Sequence, residues 1–193
     1  NKLAMSSKPD LSIALLHEGM YNKQGQVVTT SLTLNDIHDL ARCARTYGVH
    51  SVFIVHPSPT LRQLATVMKD HWQSGYGATY NPDRKEAISL IHVLASFDEV
   101  LTRVSERCGV SPHLIATSAK GAPGRLSYAH CRQLLDRDQV PHLLMLGTGW
   151  GMTDPLLERA DYILAPIEGP TDFNHLSVRS ACAIMLDRLL ASH

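Results

Sequence analysis

Apolar residues occur in short runs that are separated by stretches with a helical repeat. Six runs are nearly continuous in apolar residues, as strands buried on both faces must be; they lie at residues 11–16, 51–55, 89–94, 113–117, 142–146 and 162–164. Between them, apolar side chains recur every three or four positions, in stretches that begin near residues 34, 59, 96, 127, 153 and 175. This alternation predicts an α/β fold, with a mostly parallel sheet and helices on both faces.

Local signals mark the ends of several predicted elements. Thr33 and Asp36 have the spacing of a capping box, and so do Ser96 and Glu99, while Gly109 is a helix stop signal. Residues 73–82 are rich in glycine, tyrosine and asparagine, which predicts a mobile surface loop. Because no linker or internal repeat is visible, we expect one domain over residues 1–193.

Composition limits the classes of function. The 193 residues are 44% hydrophobic and 19% charged, the balance of an ordinary globular protein. Lysine and arginine number 18, as do aspartate and glutamate, so contact with nucleic acid would require a local basic patch. No apolar run approaches the length of a membrane span, and no signal peptide is visible. These features predict a soluble cytoplasmic protein with no membrane partner.

The four cysteines form no metal-binding or disulfide pattern. They are far apart in the sequence and include no CxxC pair, at Cys43, Cys108, Cys131 and Cys182. We therefore expect reduced, mostly buried thiols and no metal site.

Three loops are candidates for ligand binding, because ligands of open parallel sheets bind at the carboxyl ends of the strands. They comprise residues 117–124, the sequence Gly-Thr-Gly-Trp-Gly at 147–151, and residues 165–174. Glycines let a backbone approach a ligand closely. The spacing GxGxG leaves two other interpretations open. One is the nucleotide loop of an oxidoreductase, and the other is a tight turn between strand and helix.

Two segments carry a resemblance to a known superfamily. Residues 164–181, LAPIEGPTDFNHLSVRSA, follow a strand, LGTGWG, a helix and a strand. This arrangement resembles the C-terminal half of the SPOUT RNA methyltransferases, and is closest to the C-terminal-like branch of the tRNA guanine methyltransferases. Residues 35–49 are similar to the superfamily's first helix, with Arg42 seven residues before a valine.

The resemblance implies a deep C-terminal trefoil knot, S-adenosylmethionine (SAM) as cofactor, and a homodimer whose subunits complete each other's sites. It predicts methylation of RNA (tRNA or rRNA), on a base nitrogen rather than a ribose hydroxyl. The alternative is a catalytically silent module that binds SAM or RNA.

By resemblance, the three loops hold the cofactor. Ile167 and Leu176 would sandwich its adenine, unless they are ordinary core residues. The predicted cofactor-binding residues are Thr117, Ser118, Leu146, Gly147, Thr148, Gly149, Gly151, Pro166, Ile167, Gly169, Leu176 and Ser177.

Methyl transfer to nitrogen needs a group that takes a proton. Asp172 is the only aspartate on the three loops and is the candidate base, with Glu168 as the second choice. The guanine-methylating branch has Asp-His, followed four residues after the histidine by arginine. Here His175 and Arg179 keep that spacing, but Asn174 stands in place of the aspartate.

Arginines and aromatic residues complete the predicted site. Arg42 and Arg179 are catalytic-site candidates that could contact RNA phosphate, although each has an ordinary surface ion pair as its alternative. Trp150 could stack on a base or lie in a dimer interface. The apolar face of the last helix could serve both a core and an interface.

Overall fold

A six-stranded parallel sheet forms the centre of the protein, in a computed structural model that describes residues 8–192 apart from the side chain of Ala78. The strand order is β5-β4-β1-β7-β6-β8, with β1 Leu11–Leu16, β4 Val52–Val55, β5 Ile91–Leu94, β6 His113–Ala116, β7 His142–Leu146 and β8 Tyr162–Ile163. All six predicted strands are present. A separate antiparallel hairpin, β2 Met20–Tyr21 and β3 Val27–Val28, was not predicted.

Eight helices connect the strands in the described part of the chain. They are α1 Leu34–Tyr47, α2 Pro59–Gln73, α3 Tyr76–Tyr80, α4 Pro82–Ile88, α5 Phe97–Cys108, α6 Tyr128–Arg137, α7 Asp154–Leu157 and α8 Val178–Leu190. The predicted capping signals are confirmed. The Thr33 and Ser96 side chains accept hydrogen bonds from the amides of Asp36 and Glu99, and Gly109 ends α5 in the left-handed conformation.

The core has two halves because successive strand residues point to opposite faces of the sheet. In β1, Ile13 and Leu15 belong to the cluster under α1, α6 and α8, whereas Ala14 and Leu16 belong to the cluster under α5. Every residue of β1 and β7 is buried, which explains why their sequences are apolar without alternation. The expected α/β architecture is thus confirmed.

Residues 73–82 are not the loop that their composition predicted. They contain α3, which packs beside the end of α2, so tertiary contact overrides local composition. A Cβ on Gly77 would lie 2.7 Å from the ring of Trp72, so glycine permits this close approach. The last helix also begins at Val178 rather than near residue 175, because the Ser177 side chain caps it.

Half of the cysteines are buried, where the sequence predicted that most would be. All four thiols are free, with Cys131 and Cys182 buried and Cys43 and Cys108 half-buried. Burial raises the pKa of Cys131 to about 11, which keeps this thiol protonated. Among residues 8–192, no helix combines the length and the apolar character needed to cross a bilayer.

Acid is expected to destabilise the fold through the half-buried His92. Burial is the main cause that lowers the pKa of His92 from 6.5 to about 4, and Lys69 and Arg103 act in the same direction. Between these values the unfolded chain binds more protons than the folded chain, so the free energy of unfolding falls as the pH drops from about 6.5 towards 4. Urea unfolding across this pH range should show a smaller loss of unfolding free energy in His92→Gln than in the wild type.

A matched variant at an exposed histidine, His71→Gln, should keep the pH dependence of the wild type. Parallel stability profiles for His92→Gln and the wild type would contradict this assignment.

Candidate functional site

The three candidate loops leave the sheet at one edge. β7, β6 and β8 are neighbours and run parallel, and they are followed by residues 147–151, 117–124 and 165–177 respectively. Because the carboxyl ends of parallel strands meet at the same edge, the loops are brought together as expected.

The third loop contacts both of the others. The Asn174 side-chain amide donates a hydrogen bond of 2.8 Å to the carbonyl oxygen of Ala119 in the first loop. The rings of Trp150, in the glycine loop, and His175 pack edge to face, with their centroids 5.8 Å apart. Phe173 packs on the other side of His175, at 5.2 Å between centroids. A carboxylate at position 174 could not donate the bond to Ala119, which gives asparagine a structural reason at this position.

The end of β1 is hydrogen-bonded to the glycine loop. The Thr148 hydroxyl donates to the carbonyl oxygen of Leu16 at 2.9 Å and is hydrogen-bonded to the hydroxyl of Thr30. His17, the next residue after β1, is fully buried with Nδ1 2.8 Å from the Val55 carbonyl oxygen. Burial lowers the pKa of His17, although the Val55 carbonyl acts in the opposite direction, so the imidazole beneath the loop is neutral near pH 7.

The unpredicted hairpin holds the same loop from the side. The Trp150 amide donates to the Tyr21 carbonyl oxygen, and the Tyr21 amide donates to the Gly151 carbonyl oxygen. Gly149 and Gly151 have φ values of 59° and 103°, which suit glycine. The tight-turn interpretation therefore accounts for these two glycines. The turn-forming Asn22 and Gly25 between two short apolar pairs were the sequence signal for this hairpin.

The hydroxyl groups of the first loop form hydrogen bonds within the protein. The buried Thr117 hydroxyl donates to the Met145 carbonyl oxygen at 2.8 Å, and the Ser118 hydroxyl accepts from the Lys120 amide at 3.1 Å. Ser177, at the other end of the site, is the cap of α8. These three side chains shape the loops, so a bound ligand would meet mainly their backbone.

The main chain of the third loop is largely unpaired. Within the described part of the chain, no main-chain group of residues 166–176 bonds to another main-chain group, and the Phe173 amide donates to the Thr171 hydroxyl at 3.3 Å. Ile167 is half-buried against the core, and Leu176 is exposed. Unpaired amides and carbonyls beside apolar side chains can bind a ligand that has a flat apolar ring with polar edges.

The other predicted cofactor-binding residues lie along these loops. Leu146 is buried at the end of β7 and Gly147 follows it, while Pro166 is half-buried and Gly169 exposed in the third loop. The structure has two surface cavities of about 420 and 310 Å³, and neither is lined by a residue of 147–151 or 165–177.

The three catalytic candidates have different surroundings. Asp172 is exposed on the third loop. Arg179 is ion-paired to α1, with 3.0 Å from Nη1 to Asp36 Oδ1 and 3.3 Å from Nε to Asp39 Oδ2. Arg42 is exposed on α1, one helical turn beyond Asp39. For Arg179 the structure shows the ion-pair alternative, which the sequence left open.

Comparison with known proteins identifies the family. Residues 10–191 match the sequence model of the family described as SAM-dependent RNA methyltransferase. The chain belongs to this family. It is 40% identical over 181 residues to a tRNA (guanine-N(1)-)-methyltransferase of Oleidesulfovibrio alaskensis, covering 94% of the chain and 42% of that protein.

A shorter relative is also similar. An uncharacterized protein of Aquifex aeolicus is 38% identical over 179 residues, which cover 93% of the chain and 87% of that protein. The chain thus spans less than half the length of the tRNA (guanine-N(1)-)-methyltransferase it matches, but nearly the whole of this second relative.

Solved structures of a SpoU methyltransferase and of a TrmH/SpoU tRNA modifying enzyme share the fold. The SpoU methyltransferase AviRb from Streptomyces viridochromogenes, in complex with AdoMet, has a TM-score of 0.57 at 17% identity, covering 95% of this chain and 57% of its own. The TrmH/SpoU tRNA modifying enzyme of A. aeolicus has a TM-score of 0.54 at 14% identity, covering 95% and 74%. The family model confirms the predicted resemblance to RNA methyltransferases, and these structures share the fold of the chain.

Substituting the central glycine of the glycine loop should destabilise the fold. A Cβ on Gly149 would lie 2.9 Å from Thr30 Cγ2 and 3.1 Å from the Tyr21 carbonyl oxygen, at a φ of 59°. We expect Gly149→Ala to lower the free energy of unfolding by about 1–3 kcal/mol, because both the conformation and the contact resist a side chain. Chemical denaturation measures the change. Gly169→Ala is the control, since a Cβ at Gly169 meets nothing within 4 Å, and equal losses in both variants would contradict the argument.

Proposed function

We propose that this chain binds SAM across the three loops and transfers its methyl group to a base nitrogen of tRNA. The observation that carries the proposal is the meeting of the three loops, with the largely unpaired main chain of residues 166–176 and the exposed carboxylate of Asp172 in the same segment. Family membership supports the cofactor and the class of substrate.

The loops fit the chemistry of this cofactor. Ile167 and Leu176 would contact the adenine ring, and the main chain of residues 146–151 and 166–177 would bind its polar edge and the ribose. Thr117 and Ser118 shape the opposite wall. When bound, the cofactor supplies an electrophilic methyl group.

Asp172 is the proposed base. A ring nitrogen that accepts a methyl group must lose its proton, and a positioned carboxylate can take that proton. Asn174 cannot do so, because an amide is not basic and this one is bonded to the Ala119 carbonyl. Glu168, also exposed on the third loop, is the second candidate.

The substrate is proposed to be a guanine of tRNA, methylated at N1. The support is the activity named for the relative from Oleidesulfovibrio alaskensis, at 40% identity. The chain has no net charge, so local groups must bind phosphate. The exposed Arg42 is the proposed phosphate contact. Arg179, neutralised by Asp36 and Asp39, acts in this proposal as a positioning residue for the start of α8.

A trefoil knot is part of the proposal. Its support is that the chain after β8 lies beside the chain that follows the first loop: the Ala165 amide donates to the Leu126 carbonyl oxygen, and Leu126 forms a parallel bridge with Leu164. The SPOUT resemblance supplies the threading.

Removing the proposed base should abolish turnover without weakening cofactor binding. With labelled SAM and unmodified tRNA, Asp172→Asn is expected to lower kcat by about 10²–10⁴-fold, because the amide cannot take the proton. Calorimetry should give the same Kd for SAM as the wild type. Glu168→Gln is the matched control in the same loop and should keep wild-type turnover.

Other outcomes of this assay are equally informative. Loss of activity in Glu168→Gln alone would assign the base to Glu168, and a wild type that binds SAM but methylates no RNA would favour the silent module.

Arg42→Ala should raise KM for tRNA while leaving kcat and SAM affinity unchanged. An unchanged KM would remove Arg42 from the proposed RNA contact.

The exposed apolar side chains of the loops support the proposed homodimer. Trp150, Phe173 and Leu176 are 51%, 74% and 47% exposed, next to the proposed cofactor site. The apolar face of α8 is already covered, because Cys182, Met185, Leu186 and Leu189 belong to the core.

Sedimentation should therefore give twice the 21.3 kDa mass of the chain. The double substitution Trp150→Ser and Phe173→Ser should shift it to the monomer, since it removes apolar surface from the interface. Tyr76→Ser, at an exposed aromatic residue on α3, is the control and should remain dimeric. A monomeric wild type would refute the dimer.

A further inference from the structure

Two histidines and an aspartate meet at the edge of the sheet opposite the three loops. His113 and His142 are the first residues of β6 and β7 and lie side by side in register. Asp138 is the residue at which α6 ends, four positions before His142. One ligand atom from each side chain lies within 4.8 Å of the other two.

The carboxylate of Asp138 faces both imidazoles without bonding to either. Its Oδ2 atom lies 3.7 Å from His113 Nδ1 and 3.8 Å from His142 Nε2, beyond hydrogen-bond distance. Its Oδ1 atom lies 3.3 Å from Nε of the exposed Arg137. In a tetrahedral site with bonds of about 2.0–2.2 Å, ligand atoms are about 3.2–3.6 Å apart, so small side-chain movements would bring these atoms onto one ion.

His142 is buried with unsatisfied nitrogens. Its side chain has no exposed surface, and neither ring nitrogen meets hydrogen-bond geometry with any described residue. A buried imidazole without partners is costly, and coordination to a metal ion would satisfy one of its nitrogens.

We propose that His113, Asp138 and His142 bind a divalent transition-metal ion of the Zn²⁺ type. Two imidazoles and a carboxylate are ligands for such ions, whereas Mg²⁺ and Ca²⁺ prefer oxygen alone. The side chain of His113 is 39% exposed, which leaves an entry path and a position for water as fourth ligand. The ion would tie the end of α6 to the beginnings of β6 and β7.

This proposal departs from the sequence analysis, which expected no metal site. That expectation rested on the spacing of cysteines. The two histidine ligands are 29 positions apart in the sequence. They come together only because β6 and β7 pair with these two residues in register.

Zinc titration of the metal-free full chain tests the site. Calorimetry with ZnCl₂ should show one tight equivalent, and Zn²⁺ should raise Tm. Asp138→Asn and His113→Asn should each weaken the affinity by at least about 10–100-fold, since even supporting partners of a metal site have effects of this size. His130→Asn, at an exposed histidine of α6, should bind like the wild type.

A second measurement distinguishes the site from general binding to surface histidines. Co²⁺ should give the intense visible absorption of a tetrahedral complex with the wild type and with His130→Asn, but not with Asp138→Asn. Circular dichroism of the metal-free variants checks that they fold. His113 and Asp138 are chosen for substitution because their side chains are partly exposed, whereas the side chain of His142 is fully buried. Absence of tight binding to the wild type, or equal binding by Asp138→Asn and His113→Asn, would overturn the proposal.

Discussion

The parallel pairing of β7, β6 and β8 is the constraint on which the site depends. Ala116 is in register with both Met145 and Ile163, so the residues that follow the three strands begin side by side. A parallel strand can be reached only by a crossover that returns the chain to the starting edge, and each strand therefore releases its loop at the same edge. The bond from Asn174 to Ala119 links segments 55 positions apart because of this arrangement.

The third loop has fixed ends and an unpaired middle. β8 holds its beginning, and at its end Arg179 joins the start of α8 to Asp36, which is itself buried. Removing Arg179 would leave the buried carboxylate of Asp36 without its cation, so this link is more restrictive than an ordinary surface pair. Between these ends, the main chain has no regular partners. A loop that is positioned from both sides and still has free amides and carbonyls is suited to binding a polar ligand at small entropic cost.

The sequence predicted the sheet and the loops well, because continuous apolar runs and capping residues are local signals. The six strands, the cap at Thr33 and the placement of the three loops follow from them. Two short elements gave no periodic signal: the hairpin around Gly25 is marked only by its turn residues, and α3 depends on a close approach to the ring of Trp72. Contacts between distant segments were not predictable either. Nothing local indicates that Arg179 pairs with Asp36 across 143 positions.

The two ends of β6 and β7 have opposite chemical character for a structural reason. At their carboxyl ends, the chain enters the first loop and the glycine loop of the candidate site. At the amino end of β7, His142 is buried against the neighbouring strand β1 in register with Leu11. A polar side chain at such a position is costly unless a partner compensates it. That cost separates His142 from the exposed histidines of the chain: its polar atoms need a partner, and the carboxylate of Asp138 and the imidazole of His113 lie beside it.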